Sequence, residues 1–499
     1  MFKWPRSFAR RSRRNLVLES AVGAVMEGME GRLLLSSGCA SSSNTLNWTD
    51  DGTGGDVTDT ITVSQSGNTV TISDTNSHSC TNSATGLTML IRAGGGNDTV
   101  TINSSVSSSV SITINGEAGN DTITGGAGAD TINGGTGNDN IVAGSGNDSV
   151  SGGDDSTDDT LDGGTGTDWV SYSDHSNPVT VNLANGTGGQ SGESDTLSNF
   201  ENVYGGLGND TITGSSGANI LEGYIGNDSL VGGDGNDTFL AESSTDGADA
   251  MSGGNGRDLA NYGGRSGVLN VTTGDATAND GESGEGDYVS SDVEDVTGGS
   301  NADSLTGDGG ANILTGGAGN DCLVGGSGDD SLFGGSGNDS LFGQNDNDWI
   351  YGGDDADLID GGAGNDSLIG EAGADSLQGG SGDDYVLGGA GADQITGDDG
   401  TDYLHGDDDN DVISGGADAD NIYGGAGNDS CFGGDGGDYI VGDGGADSIY
   451  GQAGDDTIHG GSWDSDNDSA IDWLYGGDGT DTSDTDTVAG DNYYDIELP

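Results

Sequence analysis

A nine-residue register runs from Gly298 to His459 and repeats eighteen times without insertion or deletion. Gly316-Gly317-Ala318-Gly319-Asn320-Asp321-Cys322-Leu323-Val324 is one unit, and Gly334-Gly335-Ser336-Gly337-Asn338-Asp339-Ser340-Leu341-Phe342 is another. The pattern is Gly-Gly-x-Gly-x-Asp-x-U-x, with U aliphatic. A unit this short buries no face by itself, so such a chain must stack its repeats on one another. The first six positions predict a turn and the last three a short strand. Glycine allows the positive φ and the close backbone approach that such a turn needs. Position eight is the one apolar residue of each unit, and its strand neighbours point the other way. Leu323, Leu332, Leu341 and Ile350 are therefore expected to face a narrow core.

The turn also predicts a metal. Tight glycine turns aim peptide carbonyls inward, and the Asp at position six adds a carboxylate. Ca²⁺ takes six to eight such oxygens at about 2.3–2.6 Å, whereas Mg²⁺ dehydrates reluctantly and fits an all-protein cage less well. Zinc is disfavoured, because the four Cys and four His have no ligand spacing. Turn formation alone would accept Asn or Ser freely at position six. Within the regular blocks only Asn219 and Asn312 replace Asp.

Charge points the same way. The chain carries 86 acids against 10 bases, a formal charge of −76. Six of the bases, Lys3, Arg6, Arg10, Arg11, Arg13 and Arg14, sit at the very start. So acidic a body repels itself when compact, and low hydrophobicity with high net charge marks disorder. One core residue per nonad contributes about 1.5–3 kcal/mol, against about 1–2 kcal/mol for ordering each backbone residue. Bound divalent cations remove the repulsion, and their binding free energy becomes folding free energy. The expectation is a chain disordered without metal and folded with it. The same charge excludes nucleic acid as an electrostatic partner, and no apolar segment predicts membrane insertion.

Eight segments are expected. They are a basic leader or export segment (1–40), an irregular β-rich cap (41–115) and a first repeat run (116–171). An insert cassette (172–204), a second run (205–261) and a second cassette (262–297) follow. The main run (298–484) and a tail (485–499) complete the chain. In the cap, Thr60–Val63 and Thr69–Ile72 predict strands around a Ser66-Gly67-Asn68 turn, and Val110–Ile114 predicts a third. The cassettes resemble each other. Tyr172, Val179–Leu183 and Asp195 in one match Tyr262, Val268–Val271 and Asp287 in the other, and both lead to Gly-Ala-Asn-Ile-Leu. They are read as two extra strands that widen the roll, with a ligand-binding bulge as the alternative. Trp473 and Tyr493-Tyr494 are candidate end caps. Cys431 falls at position eight and is expected in the core, Cys322 at position seven outside it, and no disulfide framework is expected.

These nonads and cassettes resemble the RTX (repeats-in-toxin, haemolysin-type) calcium-binding proteins over roughly residues 93–484. The resemblance implies an all-β, right-handed parallel β-roll of two nonads per coil, with Ca²⁺ between successive turns and folding after export from the cell. It makes calcium ligands of Asp121, Asp130, Asp139 and Asp148 in the first run, and of Asp210, Asp228 and Asp237 in the second. In the main run it does so for Asp303, Asp321, Asp330, Asp339, Asp348, Asp357, Asp366, Asp375, Asp384, Asp393 and Asp402. The series continues through Asp411, Asp420, Asp429, Asp438, Asp447 and Asp456. The stretch Met26–Ser36, with Arg32-Leu33-Leu34-Leu35, is similar to the Leu-Glu-Pro-Arg-x-Leu-Leu leader of some large bacterial surface proteins, with Gly31 in place of Pro.

Family members with an activity of their own carry it in another domain, and the sequence offers none. There is no His-Glu-x-x-His, no Gly-x-Ser-x-Gly and, with Lys3 the sole lysine, no P-loop. His405 and His459 fall at position nine and are expected to be solvated. Phe333 and Tyr351, Tyr385 and Tyr403, and Phe432 and Tyr450 are each eighteen residues apart and are expected to stack across neighbouring strands, with a sugar platform as the alternative. The favoured reading is a secreted or cell-surface calcium-binding structural or adhesive module, with extracellular polysaccharide or a cell surface as candidate partner. The alternative is an extracellular enzyme, or the repeat portion of one, whose repeats serve folding and secretion.

Overall fold

A computed structural model describes residues 38–42, 45–49, 58–74, 79–83, 85–241, 246–461, 471–483 and 492–494. Most of the expected leader and His78 lie outside the described residues. The described chain is all β and forms a parallel β-solenoid. Each strand pairs with the strand one coil further on, as in Leu332↔Ile350 and Leu341↔Ile359, so a coil of the main run is eighteen residues. Position eight alternates inward as expected: Leu323, Leu332, Leu341 and Ile350 have no exposed surface, and Cys431 joins them.

The strands are longer than the sequence predicts. From Ile313 to Ala453 each spans six residues, as in Ile313–Ala318 and Cys322–Ser327, and covers positions seven to nine and one to three. Pairing skips position one, where the strand turns a corner, and resumes at Gly317↔Gly335 and Ala318↔Ser336. Only positions four to six remain as turn. Position two takes a positive φ, +108° at Gly317, which is why glycine prevails there.

The roll has two faces. One is a continuous 22-stranded sheet that runs from the Gly38–Ser42 strand to Thr482–Ser483. At the ~4.8 Å spacing of neighbouring strands it is about 100 Å long. The other face comprises a 14-stranded and a 12-stranded sheet. The expected hairpin, observed as Thr60–Ser66 and Thr69–Asp74, starts this second face, with Ser79–Ser83 added antiparallel.

The cassettes act on the second face only. In the first, Thr180–Asn182, Thr187–Gly188 and Asp195–Ser198 run antiparallel to one another between parallel neighbours. This inserts two strands along the axis, so the face is lengthened and the roll is not widened. In the second, Asn270–Thr272 joins the strand after it and Tyr288–Val289 joins the strand before it. Between them the face is carried by the antiparallel bridges Leu269↔Glu282 and Asp280↔Asp287 and by the Gly274 N–H, which donates to the Val289 carbonyl, while Leu259–Asn261 continues onto Asp295–Thr297 opposite.

Two further expectations, on the end aromatics and on His459, are corrected. Trp473 and Tyr494 do not cover the core end; they lie on the outer surface, each 43% exposed, and stack on each other. His459 is buried, because the Tyr439 ring packs on it at 5.4 Å and the next coil is longer than eighteen residues. Cys80 is disulfide-bonded, while Cys322 and Cys431 are free thiols, so a bridge is present without a disulfide framework.

Candidate metal centre

Every position-six Asp of the three runs is buried, with no more than 4% exposed. The backbone places them in two columns, one along each edge of the roll. Each carboxylate Oδ1 accepts the backbone N–H of the corresponding Asp one coil earlier. One column runs Asp303, Asp321, Asp339, Asp357, Asp375, Asp393, Asp411, Asp429 and Asp447, at 2.7–2.9 Å per step. The other runs Asp330, Asp348, Asp366, Asp384, Asp402, Asp420, Asp438 and Asp456, at 2.8–3.0 Å. The shorter runs repeat this with Asp121, Asp139 and Asp148, and with Asp228 and Asp237.

The second oxygen decides the chemistry. Oδ2 of Asp121, Asp139, Asp148, Asp228 and Asp237 is buried without a hydrogen-bond partner. So are those of the main-run aspartates from Asp321 to Asp438 and of Asp456. A lone buried carboxylate oxygen costs roughly 1–3 kcal/mol or more, so a whole column of them calls for a compensating charge. The space beside it is oxygen-lined. A Cβ built on Gly361 would lie 2.5 Å from Asp366 Oδ2 and 2.7 Å from the Gly379 carbonyl oxygen. On Gly388 it would lie 2.5 Å from Asp393 Oδ2 and 2.7 Å from the Gly406 carbonyl. The first glycine of each repeat thus keeps open a hollow between a carboxylate and a carbonyl of the next coil. These are the hard, anionic donors that suit Ca²⁺.

Burial raises these carboxyls, the backbone hydrogen bond opposes the rise, and neighbouring carboxylates add to it. Asp348, Asp357, Asp384, Asp411 and Asp420 are each pushed up to about 7. A cation in the column reverses that penalty by favouring the ionised form.

Not every turn is open. Oδ2 of Asp130, Asp210 and Asp303 accepts a backbone N–H from its own turn, from Gly126, Gly206 and Gly299. Those glycines lack the positive φ of position two elsewhere, so the N–H points inward. All three turns follow the cap or a cassette. The two asparagines belong to the same joints. Asn312 Nδ2 donates to the Glu294 carbonyl at 2.6 Å, and Asn219 Nδ2 donates to that of Glu201. Those carbonyls need a donor, because Asp295 and Asn202 side chains capture the N–H groups of Ile313 and Ile220. An amide supplies that donor and an ionised Asp does not.

The ladder also holds residues that the nonapeptide count misses. Asp98, Asp159, Asp168, Asp195, Asp249, Asp258, Asp287, Asp472 and Asp481 each accept the N–H of the preceding coil through a side-chain oxygen. Insertions put them out of phase. Most keep Asp-x-U, as in Asp159-Thr160-Leu161 and Asp195-Thr196-Leu197, which is the signal that finds them.

The outer surface carries aromatic ladders. Phe432, Tyr450, Tyr475 and Tyr494 stack in series with centroids 5.0, 4.8 and 4.8 Å apart and planes within 9°. Phe333–Tyr351 and Tyr385–Tyr403 stack likewise. Rings stacked face to face occupy one another's faces, which supports the structural reading over a sugar platform. His405 pairs with Asp407 at 2.7 Å, half-buried beside Tyr423.

The chain matches the family model described as RTX calcium-binding nonapeptide repeat (4 copies). The matched residues are 113–141, 133–170, 204–239, 297–332, 333–368, 360–395, 396–431 and 432–462. It belongs to the RTX calcium-binding repeat family. No curated protein matches it. The RTX matches span all three repeat runs and fall on the open columns, with the greater part of both cassettes between them. Calcium is accordingly the metal of these repeats, and the hollows described above are where this RTX chain offers donors of the right kind.

Proposed function

We propose that this RTX chain is a secreted or cell-surface structural module, a spacer or adhesive rod that calcium folds and stiffens outside the cell. The Oδ2 atoms of the open turns, with the carbonyls of the first glycines, hold the ions. The observation that carries this reading is the pair of columns of buried, unpartnered carboxylate oxygens. When bound, calcium supplies the positive charge that lets these columns stay ionised. The chain's own residues fix its place: the Oδ1 bonds orient each carboxylate, and position one excludes any side chain from the hollow. The disulfide at Cys80 supports an oxidising compartment. Extracellular sites of this kind bind at about 10⁻⁴–10⁻³ M, so the chain would stay unfolded at cytosolic calcium and fold on reaching the exterior.

Circular dichroism and small-angle scattering across a calcium titration test this. The expected result is a disordered chain in chelator that becomes an elongated β particle at millimolar calcium. Identical spectra in the two conditions, or a compact globule in calcium, would overturn it.

A further inference from the structure

The two cassettes build the same cage and fill it differently. In each, a buried Tyr donates to the ladder Asp that follows: Tyr172 to Asp195 at 2.9 Å, and Tyr262 to Asp287 at 3.1 Å. In each, a Glu stands two residues before that Asp, Glu193 and Glu285, and a cationic side chain stands three residues after the Tyr. In the second cassette that residue is Arg265, which has no exposed side-chain surface. Its Nη1 lies 2.8 Å from Glu285 Oε1 and its Nη2 lies 2.8 Å from Asp246 Oδ1, so one guanidinium spans both coils of the cage.

In the first cassette the same place holds His175. It reaches Glu193 Oε2 at 3.3 Å and its own neighbour Asp174 at 3.0 Å, so no cationic side chain spans the two coils, which are tied here by Gln190 Nε2 donating to the Asp155 carbonyl. Glu193 has no exposed side-chain surface, and its Oε1 has no hydrogen-bond partner. Oxygens of Asp159, Glu193 and Asp195 lie within 4.8 Å of one another, all buried.

We propose that Asp159, Glu193 and Asp195 form a divalent-cation site, with calcium as its natural occupant, whose counterpart in the second cassette is permanently filled by the Arg265 guanidinium. Three convergent carboxylates are hard donors for such an ion. The duplicate shows that this cage is completed by positive charge when a side chain long enough to supply it is present. Asp159 and Asp195 belong to the ladder, and Glu193, outside the nonapeptide motif, adds a further carboxylate that the turn hollows of the repeats lack. The first cassette thus locks with calcium, whereas the second is locked by the chain itself.

Hydrogen exchange with peptide-level mass readout, on the full chain across stepped free calcium, tests this. The reporters are the amides of Asp159 and Thr196 in the first cassette, and of Asp249 and Tyr288 in the second. Those of Asp366 and Asp384 report the main run. Glu193→Gln is expected to raise the calcium midpoint of the first cassette at least about threefold, since ligand charge tunes affinity, while the other two reporters stay put. His175→Arg is expected to protect the first cassette at calcium below the parent's midpoint. Arg265→His is expected to make the second cassette follow calcium as the first does. An unmoved first-cassette midpoint in both Glu193→Gln and His175→Arg would overturn the proposal. Main-run reporters indifferent to calcium would instead overturn the reading of the repeats.

Discussion

The Asp366 N–H donates to Asp384 Oδ1 at 2.8 Å, one coil further along, while Asp384 Oδ2 stays buried without a partner. One oxygen of each turn aspartate therefore holds the coil before it, and the other is left for a cation. The two roles can be separated by mutation. Asp384→Asn retains an acceptor for Asp366 and loses the charge. Asp384→Ala loses both. Calcium affinity is expected to fall in both variants. Unfolding in saturating calcium should show an extra destabilisation of about 1–3 kcal/mol for Ala, the cost of an unsatisfied buried N–H. Equal stability of the two variants would mean that the bond is not a coil-to-coil tie.

Acid should act in opposite directions with and without metal. The folded carboxyls of Asp348 and Asp384 sit at about 7, above the usual 3.9 of an unfolded Asp. A raised folded value gives stability that is present in full below about pH 4 and lost as pH rises through about 7. In chelator, lowering the pH from about 8 to 5 should therefore increase β content. In calcium the same change should raise the calcium midpoint, because protons compete for the oxygens. Circular dichroism at both pH values checks both signs.

Gly361→Ala places a methyl group between Asp366 Oδ2 and the Gly379 carbonyl. Calcium stoichiometry should fall and the melting transition should split, since each coil contacts mainly its neighbours. Gly309→Ala is the control: a Cβ there meets nothing within 4 Å, and the change should lie within about 0.5 kcal/mol of the parent. Calorimetry in calcium separates the two.

Asn312→Asp removes the donor that serves the Glu294 carbonyl. It sets an ionised oxygen against a carbonyl, so the joint should weaken in chelator and recover as calcium rises. Limited proteolysis near residue 312 at low and high calcium reads this directly. A variant cut at the parent's rate at low calcium would show that the amide is not needed.

The repeat made most of this legible. Position eight predicted the core through Leu323 and Ile350, and position six predicted the columns through Asp321 and Asp366. Cys431 in the core followed from the same count. What failed was whatever depends on the partner coil. Strand length was underestimated because pairing resumes past Gly316, a property of two coils together. Asp159 and Asp195 were missed because insertions break the count while the ladder bridges them. His459 was assigned to solvent because position nine faces outward, but the Tyr439 ring that covers it comes from another coil. The open and closed turns have the same motif and differ in the φ of position two, so no composition rule distinguishes Asp303 from Asp321.

The second face of the roll crosses residues 262–297 on two isolated bridges, Leu269↔Glu282 and Asp280↔Asp287, while the first passes that point on continuous strands. A rod tied evenly on both sides resists bending in every direction. Thinner ties on one side lower that resistance, so flexing of the rod would concentrate at this coil. The stretches on either side would keep their lengths while the angle between them varied, and the stiffness of that elbow rests on what fills the second cassette.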